Sequence, residues 1–184
     1  MFGSGGERRS DVLSALLVAL VLAASLFLAS SPARAGGACA FVPNDRDPST
    51  KILQCGQELI VRPAHGARFR PIYVKGRTLP SEIRLDDGAI LIDYHPQSED
   101  ARFQILTPLA IAAVRGTRWA MDVTSARTST LVLSGAVAVT NRRLNQFVVL
   151  RDGEGVDITP SDTSMTQKRW GEARVRALMA RFGE

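Results

Sequence analysis

Between residues 57 and 159 the chain is a succession of short apolar runs divided by turn residues, and no long segment between them carries helical periodicity. The runs are 57–63, 68–74, 89–94, 101–106, 109–114, 118–123, 130–135, 136–141, 146–153 and 155–159. Parallel strands need crossovers of a dozen residues or more, so strands this closely spaced must pair with antiparallel neighbours. Several carry the period of two that a half-buried strand requires: Phe103 and Ile105 alternate with Arg102 and Gln104, and Trp119, Met121 and Val123 with Arg118, Ala120 and Asp122. Asp86-Asp87-Gly88 and Asp152-Gly153 read as tight hairpin turns between such runs. The expected fold is all-β, an antiparallel β-sandwich or coiled stack of short strands.

Before this region the chain reads differently. Residues 1–35 hold a basic start, an apolar run and the small-x-small ending Ala33-Arg34-Ala35, the pattern of a secretory signal peptide cleaved before Gly36. An uncleaved anchor is the alternative, because the run is nearly long enough to span a bilayer. Export changes what the cysteines mean. In an oxidising compartment Cys39 and Cys55, the only two in the chain, are expected to pair, with two free thiols or a redox switch as the other readings. The loop they bracket, within residues 36–56, contains Asp45, Asp47 and Ser49, which imitate the start of a calcium loop. It lacks the glycine and the bidentate glutamate such a loop needs, and reads as a polar turn.

The period changes again in residues 161–184. Val175, Leu178, Met179 and Phe182 stand at i, i+3, i+4 and i+7, with arginines elsewhere on the turn, which predicts one C-terminal amphipathic helix. Its stripe can pack onto the sandwich or dock a partner, and Trp170 is placed to anchor its start. The candidate partner-binding residues are therefore Arg115, Trp170, Val175, Leu178, Met179 and Phe182.

Residues 107–119, "TPLAIAAVRGTRW", hold little polar chemistry. Pro108 cannot donate to a strand ladder, Gly116 permits backbone that other residues resist, and Ala110, Ala112 and Ala113 are small enough to lie close beneath another layer. This is turn and packing chemistry. The stretch, with the "STLVLSGAVAVTN" and "FVVLRDGEGVDI" that follow, resembles the core of the FecR domain, the periplasmic β-domain named after the ferric-citrate regulator. Phe103, Thr107, Pro108, Val114, Arg115, Gly116, Thr117, Trp119, Leu133, Gly135, Val137, Val139, Leu150 and Gly153 sit on the family's pattern, over roughly residues 80 to 160. The family motif proper is Thr107, Pro108, Arg115, Gly116, Thr117, Trp119 and Gly135.

The resemblance implies a module that senses or binds and does no chemistry. In full-length FecR-like regulators a cytoplasmic anti-sigma segment precedes a membrane helix, whereas about eleven residues precede the apolar run here, which points to a stand-alone exported module. Catalysis has no candidates: His65 and His95 lie away from cysteines and carboxylates at metal-ligand spacing, and no nucleophile elbow, zinc-protease or phosphate-loop motif occurs. No enzyme activity, metal or cofactor is expected. The formal charge of +5 is scattered among acids, which argues against nucleic acid. The expected organisation is a signal peptide (1–35), a disulfide loop (36–56), a FecR-like β domain (57–160) and the helical tail (161–184). The expected role is periplasmic signalling through another envelope protein, with membrane contact only through an uncleaved leader; binding an anionic glycan or peptidoglycan is the alternative.

Overall fold

The computed structural model describes residues 38–98 and 102–184. The predicted leader and its cleavage site lie outside them. Thirteen strands follow in chain order: β1 (Ala40–Pro43), β2 (Lys51–Cys55), β3 (Leu59–Pro63), β4 (Arg68–Ile72), β5 (Glu82–Tyr94), β6 (Phe103–Leu106), β7 (Ala110–Val114), β8 (Thr117–Val123), β9 (Thr128–Ser134), β10 (Val137–Asn141), β11 (Gln146–Leu150), β12 (Glu154–Ile158) and β13 (Lys168–Arg169). Among the described residues one helix, α1 (Glu172–Met179), runs into a 3-10 turn at Ala180–Phe182. The fold is all-β and curled, as the spacing of the runs requires.

The strands form two layers that share one member. The first layer runs β1-β2-β3-β5-β8-β9-β12-β13 and the second β11-β10-β7-β6-β5-β4. Residues of β5 up to Asp87 pair with β4 and β6, and those from Gly88 onward with β3 and β8. Asp86-Asp87-Gly88 is therefore no hairpin. It is a register shift followed by a bend inside one long strand, with Gly88 at φ 79° and so close to Ala67 that a Cβ would lie 2.7 Å from its Cα. The bend has a geometric cause. From Tyr94 to Phe103 the chain reaches at most about 32 Å, whereas a straight strand from Ile83 to Tyr94 would measure about 36 Å. Folding β5 in two lets the return reach its start, and β6 lies parallel to β5, the one departure from the antiparallel expectation.

Inward residues of both layers make the main core: Leu53, Val61, Ile90, Ile92, Trp119, Met121 and Val132 face Ile83, Leu85, Phe103, Ile105, Val137, Val139 and Leu150. The alternation read from the sequence holds at Phe103/Ile105 and at Trp119/Met121/Val123. Ala113 departs from its expectation: Ala110 and Ala112 face the core, whereas period two turns Ala113 outward and leaves it exposed. Cys39 and Cys55 form a disulfide that ties the start of β1 to the end of β2. Within its loop Asp47 accepts from the backbone and hydroxyl of Ser49, a polar turn as expected.

A second, smaller core lies on the outer face of the first layer. There Ala64, Ala89, Leu91, Ala120 and Leu131 are covered by Trp170, Leu178, Met179 and Phe182, with Val175 half-buried at the rim. Gly155 makes room for the indole: a Cβ on it would sit 2.3 Å from Trp170 Nε1. The Arg174 guanidinium lies 3.4 Å above the same ring.

Polar contacts fix the helix over this core. Asp122, Ser129 and Asp157 form a row across β8, β9 and β12. Arg181 reaches Asp122 at 2.8 Å, Arg174 clamps Asp157 at 2.5 and 2.8 Å, and Ser129 donates to Asp157 at 2.7 Å. Burial alone would raise the Asp157 pKa, but the bonds from Arg174 and Ser129 and the charges of Arg174 and Arg127 outweigh it and hold it below the usual range. A depressed folded-state pKa gives stability that is present above the unfolded value, near 3.9, and lost as pH falls through the folded value. Urea midpoints measured from pH 7 down to pH 2 are therefore expected to fall less steeply for Asp157→Asn than for wild type. Parallel curves would remove Asp157 from the helix clamp's pH response.

Candidate functional site

Of the family-motif residues, Arg115, Gly116, Thr117 and Gly135 gather at one end of the sandwich, where the chain passes between layers three times. β7 crosses to β8 through Arg115-Gly116, β9 to β10 through Gly135-Ala136, and β11 to β12 through residues 151–153. The predicted Gly116 turn is present, at φ 70°, and joins strands of different layers. Asp152-Gly153 is likewise a crossing and no hairpin, since β11 and β12 are not paired with each other. The three crossings are bonded together. Thr117 Oγ1 donates to the Ala136 carbonyl at 3.0 Å, the Gly135 amide to Asp152 Oδ1 at 2.7 Å, and the Gly153 amide to the Val132 carbonyl at 2.9 Å. Gly135, at φ 95°, leaves no room for a side chain: a Cβ would lie 2.8 Å from the Gly116 carbonyl oxygen.

At the other end Thr107 closes the β6–β7 hairpin. Its hydroxyl accepts from the Ala110 amide at 2.9 Å, and the Arg142 guanidinium donates to the carbonyls of Thr107 and Pro108 at 3.0 and 3.1 Å. Trp119 is fully buried, and Arg115 is exposed. Of the other candidates for partner contact, Trp170, Leu178, Met179 and Phe182 are consumed in packing the helix onto the sheet, and Val175 stands half-buried beside them. The structure brings these five together, away from Arg115 in sequence and on a covered face.

A hollow of about 220 Å³ lies at the helix clamp, where Trp170 and Leu178 line it with Arg174 and Arg181, and larger concave surface lies beside the segment 73–81 between β4 and β5. Gly76, at φ 84°, turns this segment, which is held by the Arg77 amide on the Val74 carbonyl and the Ser81 amide on the Ile72 carbonyl, both at 3.0 Å. Two hollows flank it. One of about 490 Å³ is lined by Val74, Arg77, Ser81, Arg102, Phe103, Gln104, Ala113 and Val114. The other, about 280 Å³, is lined by Leu79, Pro80 and Tyr94 together with Arg77 and Arg102. Both guanidiniums thus belong to both hollows, and among the described residues neither has an ion-pair partner.

Beneath the cleft the side chains are aromatic. Tyr94 and Phe103 meet at a tilt of 39° with centroids 5.0 Å apart, and Phe103 meets Trp119 edge-on at 6.1 Å. Burial raises the Tyr94 pKa, Glu58 adds to the rise and Arg77 opposes it, so the phenol is neutral at physiological pH. On the rim Ile72, Tyr73 and Val74 are 37, 46 and 53% exposed, an apolar run in consecutive positions. Apolar walls, an aromatic floor and two cations without an ion-pair partner among the described residues suit a ligand with an apolar body and negative charge. Sequence reading missed this cleft because Arg77 and Arg102 are far apart in the chain, and only the folding back of β5 brings their neighbourhoods together.

Residues 65–138 match the family model described as FecR protein. The FecR match begins just before β4 and ends in β10, so it takes in the bent strand, the cleft walls, the Thr-Pro hairpin and the crossings at Gly116 and Gly135. Two solved structures of a candidate anti-sigma factor from Parabacteroides distasonis ATCC 8503, at 1.65 and 2.50 Å resolution, share the fold. The first has a TM-score of 0.53 at 15% identity and covers 66% of this chain; the second has 0.55 at 15% and covers 78%. This chain spans only 56% and 61% of those two proteins' own lengths. No curated protein sequence matches it. Over residues 65–138 the chain is thus similar to the FecR family, and the two solved structures share its fold.

Proposed function

We propose that the chain is an exported, non-catalytic FecR-like module of the cell envelope that receives a segment of another envelope protein in the cleft beside residues 73–81. The observation that carries this reading is the pair Arg77 and Arg102, without carboxylate partners among the described residues, at the junction of two apolar hollows. The segment it suits is extended, apolar and acidic. The disulfide supports an oxidising compartment. The candidate anti-sigma factor of similar fold supports signalling as the class of role. On this reading residues 1–35 are the export signal, 36–56 the disulfide loop, 57–160 the β domain and 161–184 the clasp over the second core.

The direct test is a photo-crosslinking amino acid placed at Arg77 and, separately, at exposed Glu172 in the full chain, expressed with a C-terminal tag in a bacterial host. The expected result is one envelope protein captured from position 77 and not from 172, with capture lost in Arg102→Glu. Equal capture from both positions, or none, would overturn the cleft as the site. Intact mass of the tagged product tests export in the same preparation: a periplasmic species beginning at Gly36 is expected, and retention of residues 1–35 in the membrane fraction would replace it with an anchored module. The same two arginines also favour a second reading, an anionic envelope glycan, which predicts salt-sensitive cosedimentation with purified peptidoglycan that Arg77→Glu with Arg102→Glu abolishes.

A further inference from the structure

The layers end in four edge strands, and three of them are guarded. β4 carries Arg68, Arg70 and Pro71; β1 ends at Pro43 beside the disulfide; β13 consists of Lys168 and Arg169 alone. Charge, proline and brevity are the usual means of keeping an edge from pairing with another chain. β11 has none of them. Its sequence is Gln-Phe-Val-Val-Leu, it pairs only with β10, and among the described residues no backbone bond reaches it from any other segment. Phe147 is 68% exposed and Val149 40%, while Val148 is half-buried and Leu150 buried in the core.

The outer face that continues from this edge is apolar too. Gln104, Ala113, Ala138 and Val149 form one row across β6, β7, β10 and β11, and Leu106, Ile111, Thr140 and Phe147 the next. The other layer covers its comparable face with α1.

We propose that β11 pairs antiparallel with β11 of a second copy of this chain, about a two-fold axis at Val148. The strand is complementary to itself in that register. Phe147 lies opposite Val149 of the other copy on the exposed face, twice, an aromatic against a β-branched residue, and no like charges meet. The flanking turns agree. An antiparallel pair brings the turn of one copy that carries Arg142 and Arg143 toward the turn of the other that carries Asp152 and Glu154, opposite charges whose own-chain contacts are to backbone groups, Arg142 to the Thr107 and Pro108 carbonyls, Arg143 to the Asp162 carbonyl, Asp152 to the Gly135 amide and Glu154 to the Arg151 amide; a parallel pair would set arginine against arginine. The row from Val149 and Ala138 runs on to Ala113 and Gln104 at the wall of the cleft, but β11 itself lines neither hollow, so the proposal does not use the reading of Arg77 and Arg102.

The register makes a specific demand on charge. In the full chain, Phe147→Lys with Val149→Lys opposes lysine to lysine across the axis, whereas Phe147→Glu with Val149→Lys opposes glutamate to lysine. Sedimentation velocity over a dilution series is expected to give twice the protomer mass for wild type at high concentration, one protomer mass for the double lysine variant and a dimer again for the glutamate–lysine variant. A monomeric wild type throughout, a dimer that survives the double lysine change, or failure of the glutamate–lysine pair to restore it would each overturn the proposal. Amide exchange of wild type gives a readout without substitution: protection at 146–150 must rise with concentration, and protection independent of concentration would sink it.

Discussion

Replacing Gly135 with alanine is expected to lower the unfolding free energy by about 3 kcal/mol, combining the strain of a left-handed backbone with forced overpacking. The residue stands at φ 95°, and its new Cβ would meet the Gly116 carbonyl oxygen at 2.8 Å and Thr117 Oγ1 at 3.0 Å. Neither neighbour can retreat easily, because Thr117 is bonded to Ala136 and Gly116 occupies a crossing of its own. Gly66 separates the two contributions. It has φ 76° with nothing within 4 Å of the place a methyl group would take, so Gly66→Ala carries the backbone strain alone, about 1 kcal/mol. Urea unfolding of both variants checks the argument. Equal losses would mean that the stacked crossings are slack enough to absorb a methyl group.

Removing the disulfide as Cys39→Ser with Cys55→Ser is expected to cost about 3 kcal/mol, the loop-closure entropy of a ring of this size. The bridge spans a sequence separation of 16 and ties β1 to a first layer in which its only strand partner is β2. Beyond that pairing β1 has the contact of Phe41 with Phe69, centroids 6.0 Å apart. Chemical unfolding with and without reductant, read beside the double variant, measures the effect. A loss below about 1 kcal/mol would show that the unfolded chain is already compact around this loop.

Much of the architecture was legible because it rests on local chemistry. The period of two at Phe103/Ile105 and Trp119/Met121/Val123 placed the strands, and the change of period at Val175, Leu178, Met179 and Phe182 placed the helix. Thr107-Pro108 and Arg115-Gly116 read correctly as turns. What sequence concealed was non-local. Asp-Asp-Gly at 86–88 has hairpin composition, yet the return from Tyr94 must reach the beginning of the same strand, so the glycine bends β5 where a hairpin was expected. β1 and β2 were hidden inside the disulfide loop, because polar residues 44–50 dominate its composition. The helical stripe could equally have met a partner, and only the apolar outer row Ala89, Leu91, Ala120 and Leu131 shows that this protein is its own partner there. The cleft escaped because single arginines carry no spacing signal.

The sharing of β5 bears on how a module of the proposed kind could work. Hydrogen-bonded on both sides in each half, it belongs to both layers at once, so neither layer can slide along the other without pulling on the strand they share. A module stitched in this way has no internal gear. On the function proposed above, such a module would report an event by what its surface holds or releases, its information lying in occupancy while its shape stays the same.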